Sequence, residues 1–216
     1  MSYYMSKAKD PISSLSHMIG AVLFGVGTVV LLLKGLLGGF DAITVLSALV
    51  FGLSLIALYS ASAAYHFVNA SEQVNLILRK LDHSMIYVLI AGSYTPILLH
   101  YYHAPHCYWL TAAIWAIGLT GIAVKLLWFN APRMLYTAFY ILMGWFVLFD
   151  LSALQNMAPG AIALLVGGGL SYTAGGIIYA LKKPNFSKRF GHHELFHILV
   201  LLGSLQHYIM VLGYVM

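Results

Sequence analysis

Charge is scarce in this chain. Only 8% of its residues are Asp, Glu, Lys or Arg, and 61% are hydrophobic. A soluble domain carries about 25% charged residues. A water-soluble fold of this size has too few polar side chains here to cover its surface, so lipid is the medium that suits most of the sequence. Acidic residues are scarcer still, with six Asp and Glu against eleven Lys and Arg. The positive excess falls in short segments rather than along one face. That is the pattern of basic loops beside membrane helices, and no nucleic-acid partner is expected from it. One cysteine, Cys107, excludes both an intrachain disulfide and a Cys-based zinc cluster. A metal, if held, needs His and carboxylate ligands. The first 16 residues lack the short apolar run and small-residue cleavage site of a removable leader. Also missing is the alternation of polar and apolar residues that a membrane barrel requires; Val29 to Leu33 are apolar without a break.

What the chain does contain is a series of seven apolar segments, each near the length of about 20 residues that spans a bilayer core. They run from His17 to Leu36, Ala42 to His66, Leu81 to His100, Trp109 to Trp128, Leu135 to Leu151, Ala161 to Leu181 and His193 to Val215. Turn-forming clusters separate them, among them Gly38-Gly39-Phe40-Asp41, Asn130-Ala131-Pro132-Arg133 and Met157-Ala158-Pro159-Gly160. Glycines inside the segments, such as Gly167-Gly168-Gly169 and Gly175-Gly176, suit close approach of neighbouring helices. The expected fold is an all-α integral membrane protein of seven transmembrane helices forming a single domain over residues 1–216, placed in the plasma (inner) membrane.

The basic residues set its direction. With seven crossings, Lys7, Lys9, Arg79, Lys80, Lys125, Arg133, Lys182, Lys183, Lys188 and Arg189 fall on one side, and Lys34 alone on the other. Positive charge collects on the cytoplasmic side. The N-terminus is therefore expected inside and the C-terminus outside.

Ionisable residues inside membrane helices are expensive and mark functional sites by default. Three stretches carry them: Ser62-Ala63-Ala64-Tyr65-His66 closes the second segment, Leu81-Asp82-His83-Ser84 opens the third, and His193-Glu194-Leu195-Phe196-His197 opens the seventh. On the alternating topology all three lie at one depth, near the cytoplasmic face. His193 and His197 are four residues apart and share a helical face, an arrangement suited to zinc. His66 supplies a third imidazole from another helix and leaves a fourth position open. Ser62 lies one turn before His66, and Asp82 is placed to accept a hydrogen bond from a ligand histidine or from water. The stretch also matches H-E-x-x-H, in which Glu194 acts as general base of a metalloprotease. No Asp or Glu follows His197, so a third ligand has to come from upstream, which departs from that pattern. For His17, His83, His192 and His207 the expectation is packing or a hydrogen bond to a neighbouring helix. His100, His103 and His106 read as a solvated outer-loop cluster.

These motifs resemble those of the hemolysin III family, the bacterial branch of the superfamily that contains the adiponectin and progestin receptors. The matching residues are Ser62 and His66, Asp82 within Lys80-Leu81-Asp82-His83-Ser84, and His193 with His197, and the likeness covers essentially the whole chain. It implies zinc held by His66, His193 and His197, with Asp82 and Ser62 toward water or substrate. It also implies hydrolysis of amide bonds in membrane lipids such as ceramides, with Asp82 or Glu194 as base. The competing readings are a membrane-homeostasis sensor or receptor in which zinc is structural, a cytolysin, and an intramembrane metalloprotease. A pore needs a polar lining through the full thickness, and these polar residues gather toward one side.

Overall fold

The computed structural model describes residues 6–187 and 190–216 and is helical throughout its ordered elements. Seven α-helices lying wholly within the described residues follow one another: α1 Pro11–Leu37, α2 Ala42–Phe67, α3 Glu72–Tyr101, α4 His106–Leu127, α5 Arg133–Gly144, α6 Pro159–Leu181 and α7 His192–Tyr214. Two 3-10 stretches, Phe146–Phe149 and Ser152–Asn156, lie between α5 and α6. Lys188 and Arg189, two of the basic residues counted above, lie outside the described residues, as do Met1 to Met5.

Local chemistry places the helix starts. Pro11 and Pro159 open α1 and α6, where a missing N–H costs no intrahelical bond. Asp41 caps α2 by accepting from the N–H of Ile43 at 2.9 Å and of Thr44 at 3.1 Å. Each helix packs on its neighbours in sequence, and α7 closes back onto α1. The helices alternate in direction. Lys34, in the last turn of α1, donates to the Leu212 carbonyl near the end of α7 at 2.7 Å, so both finish at one end of the bundle. That end is called distal below. The end where α2 finishes and α3 and α7 begin is called proximal.

The bundle is apolar outside and polar within. Leu127 and Phe149 are 89% and 83% exposed, while Ser13, Ser62, His66, Thr137, His197 and Ser204 are buried. In water this arrangement is unfavourable; in hydrocarbon it is required, because buried polar groups must find partners inside the protein. They do so between helices. Tyr59 on α2 donates to Ser204 on α7 at 2.7 Å, and Trp145 donates to Thr173 on α6 at 2.9 Å. The α6–α7 contact is close because glycine faces glycine: a Cβ on Gly203 would lie 2.9 Å from the Tyr172 ring and 3.1 Å from the Gly168 carbonyl.

Five helices, α1, α2, α4, α6 and α7, are long and apolar enough to cross a membrane. The third helix differs in composition, carrying Arg79, Lys80 and Asp82 early and Ser93, Tyr94, Thr95 and Pro96 later. The fifth differs in length. The apolar run to Leu151 predicts one continuous helix, yet α5 ends at Gly144. The cause is a side chain from α3. The Tyr94 hydroxyl donates to the Gly144 carbonyl at 2.7 Å and accepts from the Val147 N–H at 3.1 Å, which satisfies backbone groups released from the helical pattern. Irregular backbone among membrane helices is tolerated where protein covers it or where it borders a cavity, and here it does the latter.

Candidate metal centre

Three imidazoles meet at the proximal end. One nitrogen from each of His66, His193 and His197 lies within 4.8 Å of the others, close enough to share one metal ion. His66 comes from the last turn of α2 and the other two from the first turns of α7. The Nε2 atoms of His66 and His193 are 3.2 Å apart. Two ligands of a tetrahedral zinc, with Zn–N bonds of about 2.0–2.1 Å, stand about 3.3 Å apart. The spacing therefore fits the ion, and so does the donor set, since three histidines with one open position is an established zinc arrangement.

The tautomers fit as well. His66 Nδ1 is 2.9 Å from Asp10 Oδ2 and donates to it, so its Nε2 lone pair faces the cluster. His197 Nδ1 donates to the Ser13 carbonyl at 3.2 Å, which leaves its Nε2 bare too. Partners of this kind orient ligand rings and strengthen their basicity. Asp10 lies just ahead of α1. The hydrogen bond from His66 is the main cause that holds its carboxyl below the ordinary range, against the opposing effect of partial burial. The backbone fixes the same contact: the N–H groups of Lys9 and Asp10 donate to the carbonyls of Phe67 and His66 at 3.2 and 2.9 Å, filling acceptors left open at the end of α2.

Asp10 and Ser13 carry roles that the sequence alone did not suggest. An Asp before a Pro at a helix start reads as a cap, but this carboxylate makes no cap hydrogen bond and turns to His66 instead. The remaining sequence-predicted residues divide. Asp82 and Ser62 border the same cavity as the histidines, and the Ser62 hydroxyl bonds the Asp82 carboxylate. Asp82 is not one of the three residues that meet at the common point. Glu194 is engaged elsewhere: Oε2 accepts from the Gly191 N–H at 2.8 Å, closing the start of α7, and Oε1 accepts from Ser13 at 3.0 Å. His17 is closer to the site than expected. Its ring stacks on His197 with centroids 3.7 Å apart, and neither nitrogen has a hydrogen-bond partner among the described residues. His207 does what a lone membrane histidine was expected to do, bonding the Leu165 carbonyl of α6 at 3.2 Å.

A cavity of about 480 Å³ opens from the cluster and runs up the bundle. Its proximal end presents Asp10, Ser62, His66 and Asp82; farther along it is bordered by Leu89, Ile97, Leu148 and Leu154. Ionisable groups gather at the proximal end, and the lining farther along is mainly apolar with His207 and Thr173 among it, which suits a molecule with a reactive head and a hydrocarbon tail.

An all-helical fold, five helices fit to cross a bilayer and a buried three-histidine cluster define a multi-pass membrane protein with a candidate metal centre. The model of the haemolysin-III-related family matches residues 5–208, and the chain belongs to that family. It is similar to Hemolysin-3 of Bacillus cereus, 33% identical over 205 residues that cover 94% of this chain and 90% of that protein. The Hemolysin-3 homolog of Bacillus subtilis (strain 168) is 34% identical over 203 residues, covering 94% and 92%. A more distant likeness, 28% over 178 residues, reaches the adiponectin receptor protein of Drosophila melanogaster, covering 68% of this chain and 37% of that one.

Proposed function

We propose that the chain is a zinc-dependent hydrolase of lipid amides that crosses the plasma membrane seven times with its N-terminus in the cytoplasm. The observation that carries this reading is the cavity: a three-histidine cluster with an open position at one end, joined to an apolar channel able to take an acyl chain. The orientation is supported by the basic residues, since Lys9, Arg79, Lys80, Lys125 and Arg133 stand at the proximal end and Lys34 at the distal one.

His66, His193 and His197 would hold the ion. The chemistry it supplies there is Lewis acidity toward a carbonyl and toward water. The chain's own groups supply the rest. Asp10 and the Ser13 carbonyl keep two imidazoles in the tautomer that offers Nε2. Asp82, held by Ser62, is the carboxylate free to take a proton from the attacking water as its oxygen joins the acyl carbon. The same carboxyl returns that proton to the leaving nitrogen as the C–N bond breaks. Glu194 is already committed to Gly191 and Ser13, which favours Asp82 over it as the base. A purely structural zinc uses four protein ligands; three histidines with Asp82 set apart favour turnover.

Purified protein in lipid nanodiscs, loaded with zinc and given ceramides and other N-acyl lipids of defined chain length, tests this. Fatty acid should be released by the wild type, and Asp82→Asn should slow release by about 10²–10⁴-fold while keeping its metal. Absence of release by metal-replete protein, or equal rates in the two, removes the hydrolase reading.

A further inference from the structure

Beside the histidines, the cavity has a second polar quarter that the mechanism above does not use. Arg79, His83, Arg133, Tyr136, Thr137 and Tyr179 border it, contributed by α3, α5 and α6. Cations crowd this quarter. Arg133 donates to the Tyr179 carbonyl at 3.2 Å and lies 4.9 Å over the Tyr179 ring. Lys125, on α4 and only 3% exposed, sits behind the wall with Nζ 3.5 Å from the centre of the Tyr136 ring. Arg79 and Lys80 stand 5.2 and 5.6 Å from the centre of the Phe129 ring.

Anionic partners are few. None of the four cations has a carboxylate within ion-pair distance among the described residues, where both ion pairs involve histidine. Of the four, Arg79 feels the charge of Asp82, whose carboxylate is bonded to Ser62. Lys125 is the buried one of the four, while Arg79 is exposed and Lys80 and Arg133 are half-buried; for Lys125 the aromatic faces offset only part of the cost of leaving water. Two further groups wait in the same place. His83 Nδ1 and Thr137 Oγ1 are buried, on residues 8% and 3% exposed, and neither has a hydrogen-bond partner among the described residues. Buried polar atoms are ordinarily paired, and an unpaired one that borders a cavity calls for a ligand.

We infer that this quarter binds the phosphate of a lipid headgroup from the adjoining leaflet. Two arginine forks match phosphate oxygens. Lys125 adds charge from behind Tyr136. The hydroxyl of Thr137 and the ring N–H of His83 are short-range donors. The apolar remainder of the cavity selects a lipid over free phosphate. The substrate class then narrows, on the hydrolase reading above, from any lipid amide to one that carries a phosphate a few bonds from the amide. Tyr179 joins the two quarters: its ring lies under Arg133 on one side and 6.0 Å, centre to centre, from that of His193 on the other.

Binding is separable from turnover, so the test reads binding. Zinc-loaded protein in detergent is equilibrated with phosphatidylglycerol or with diacylglycerol of the same chains, and retained lipid is counted by native mass spectrometry. Phosphatidylglycerol should be retained about tenfold or more over diacylglycerol. Arg133→Gln and Arg79→Gln should each erode that preference several-fold, and Arg133→Lys should restore part of it. His106→Ala, at the distal end of the bundle, should keep it whole. Equal retention of the two lipids by the wild type overturns the inference without any variant. Displacement of phosphatidylglycerol by millimolar inorganic phosphate would reassign the site to the free ion. If no lipid amide is cleaved while the preference persists, the hydrolase reading fails and the phosphate site stands. If neutral ceramide is cleaved and no lipid preference is found, the phosphate site fails and the hydrolase reading stands.

Discussion

The molecule contains the same pair of side chains twice, a histidine against an aspartate, once at each end of the bundle. At the proximal end His66 meets Asp10 at 2.9 Å; at the distal end His106 meets Asp150 at 2.7 Å. The distances differ little, but the settings differ greatly. The side chain of His66 is 3% exposed and that of His106 is 55% exposed. Behind His66 the second ring nitrogen faces two more imidazoles. Behind His106 there is no such cluster among the described residues, and Asp150 is also occupied by the Ser152 N–H at 2.9 Å. The contrast teaches that a His–Asp contact by itself says little. What the other imidazole nitrogen faces, and whether water can reach it, decides whether the pair orients a ligand or ties two loops.

The largest effect should come from the ligands themselves. His193→Ala should lower metal affinity by more than about 100-fold, the upper range for losing a mere supporting partner, whereas His106→Ala should leave zinc content unchanged. Elemental analysis of both purified variants reads the difference, and parallel losses would erase the contrast. Next comes the supporting carboxylate. Asp10→Asn should weaken zinc binding by about 10–100-fold, measured by competition with a chelator, and Asp150→Asn should not change it. A smaller effect is expected at Glu194. If its task is closing the start of α7, Glu194→Ala should cost about 1 kcal/mol of stability with lipid cleavage kept; loss of cleavage at full stability would return it to the chemistry.

The smallest effect sharpens the distal side. Hydrogen bonds from Ser152, then the contact with His106, hold the Asp150 carboxyl down at about 2. Its unfolded value is about 3.9. A depressed carboxylate contributes stability that is whole above the unfolded value and fades as pH falls toward the folded one. The melting temperature of wild type should therefore exceed that of Asp150→Asn by a small margin at pH 5. The margin should shrink as pH drops below about 4. An exposed pair of this kind is screened by salt, so the margin should also narrow at high ionic strength.

Much of the fold could be read from the chain because lipid imposes few solutions. The seven apolar segments fall on the seven helices in order. Their ends were less legible, since an apolar run marks the hydrocarbon and a helix can continue past it. Helix α3 begins at Glu72, well before the apolar start at Leu81. The early end of α5 could not be read from its own residues, because the hydroxyl that stops it belongs to Tyr94 on another helix. The site shows the same division. His193 and His197 declared themselves through their spacing, and His66 through the alternation of the helices. Asp10 was hidden behind its cap-like position before Pro11. Glu194 was drawn into the site by a familiar pattern, although a Glu three residues after Gly191 also suits closing a helix start, and the hydrogen bonds follow that second logic.

The contacts of the three-histidine cluster also bear on how the molecule is made. Residues 10 and 13 leave the ribosome before residue 66, and residues 193 and 197 follow well over 100 residues later. Until α7 enters the bilayer, His66 has Asp10 for company and no neighbour to share an ion with. Completion of this centre is thus a late event in biogenesis, and a chain stalled after α6 carries an apolar bundle with an unfinished pocket. Loading of metal, wherever it occurs, would register that α7 has been threaded.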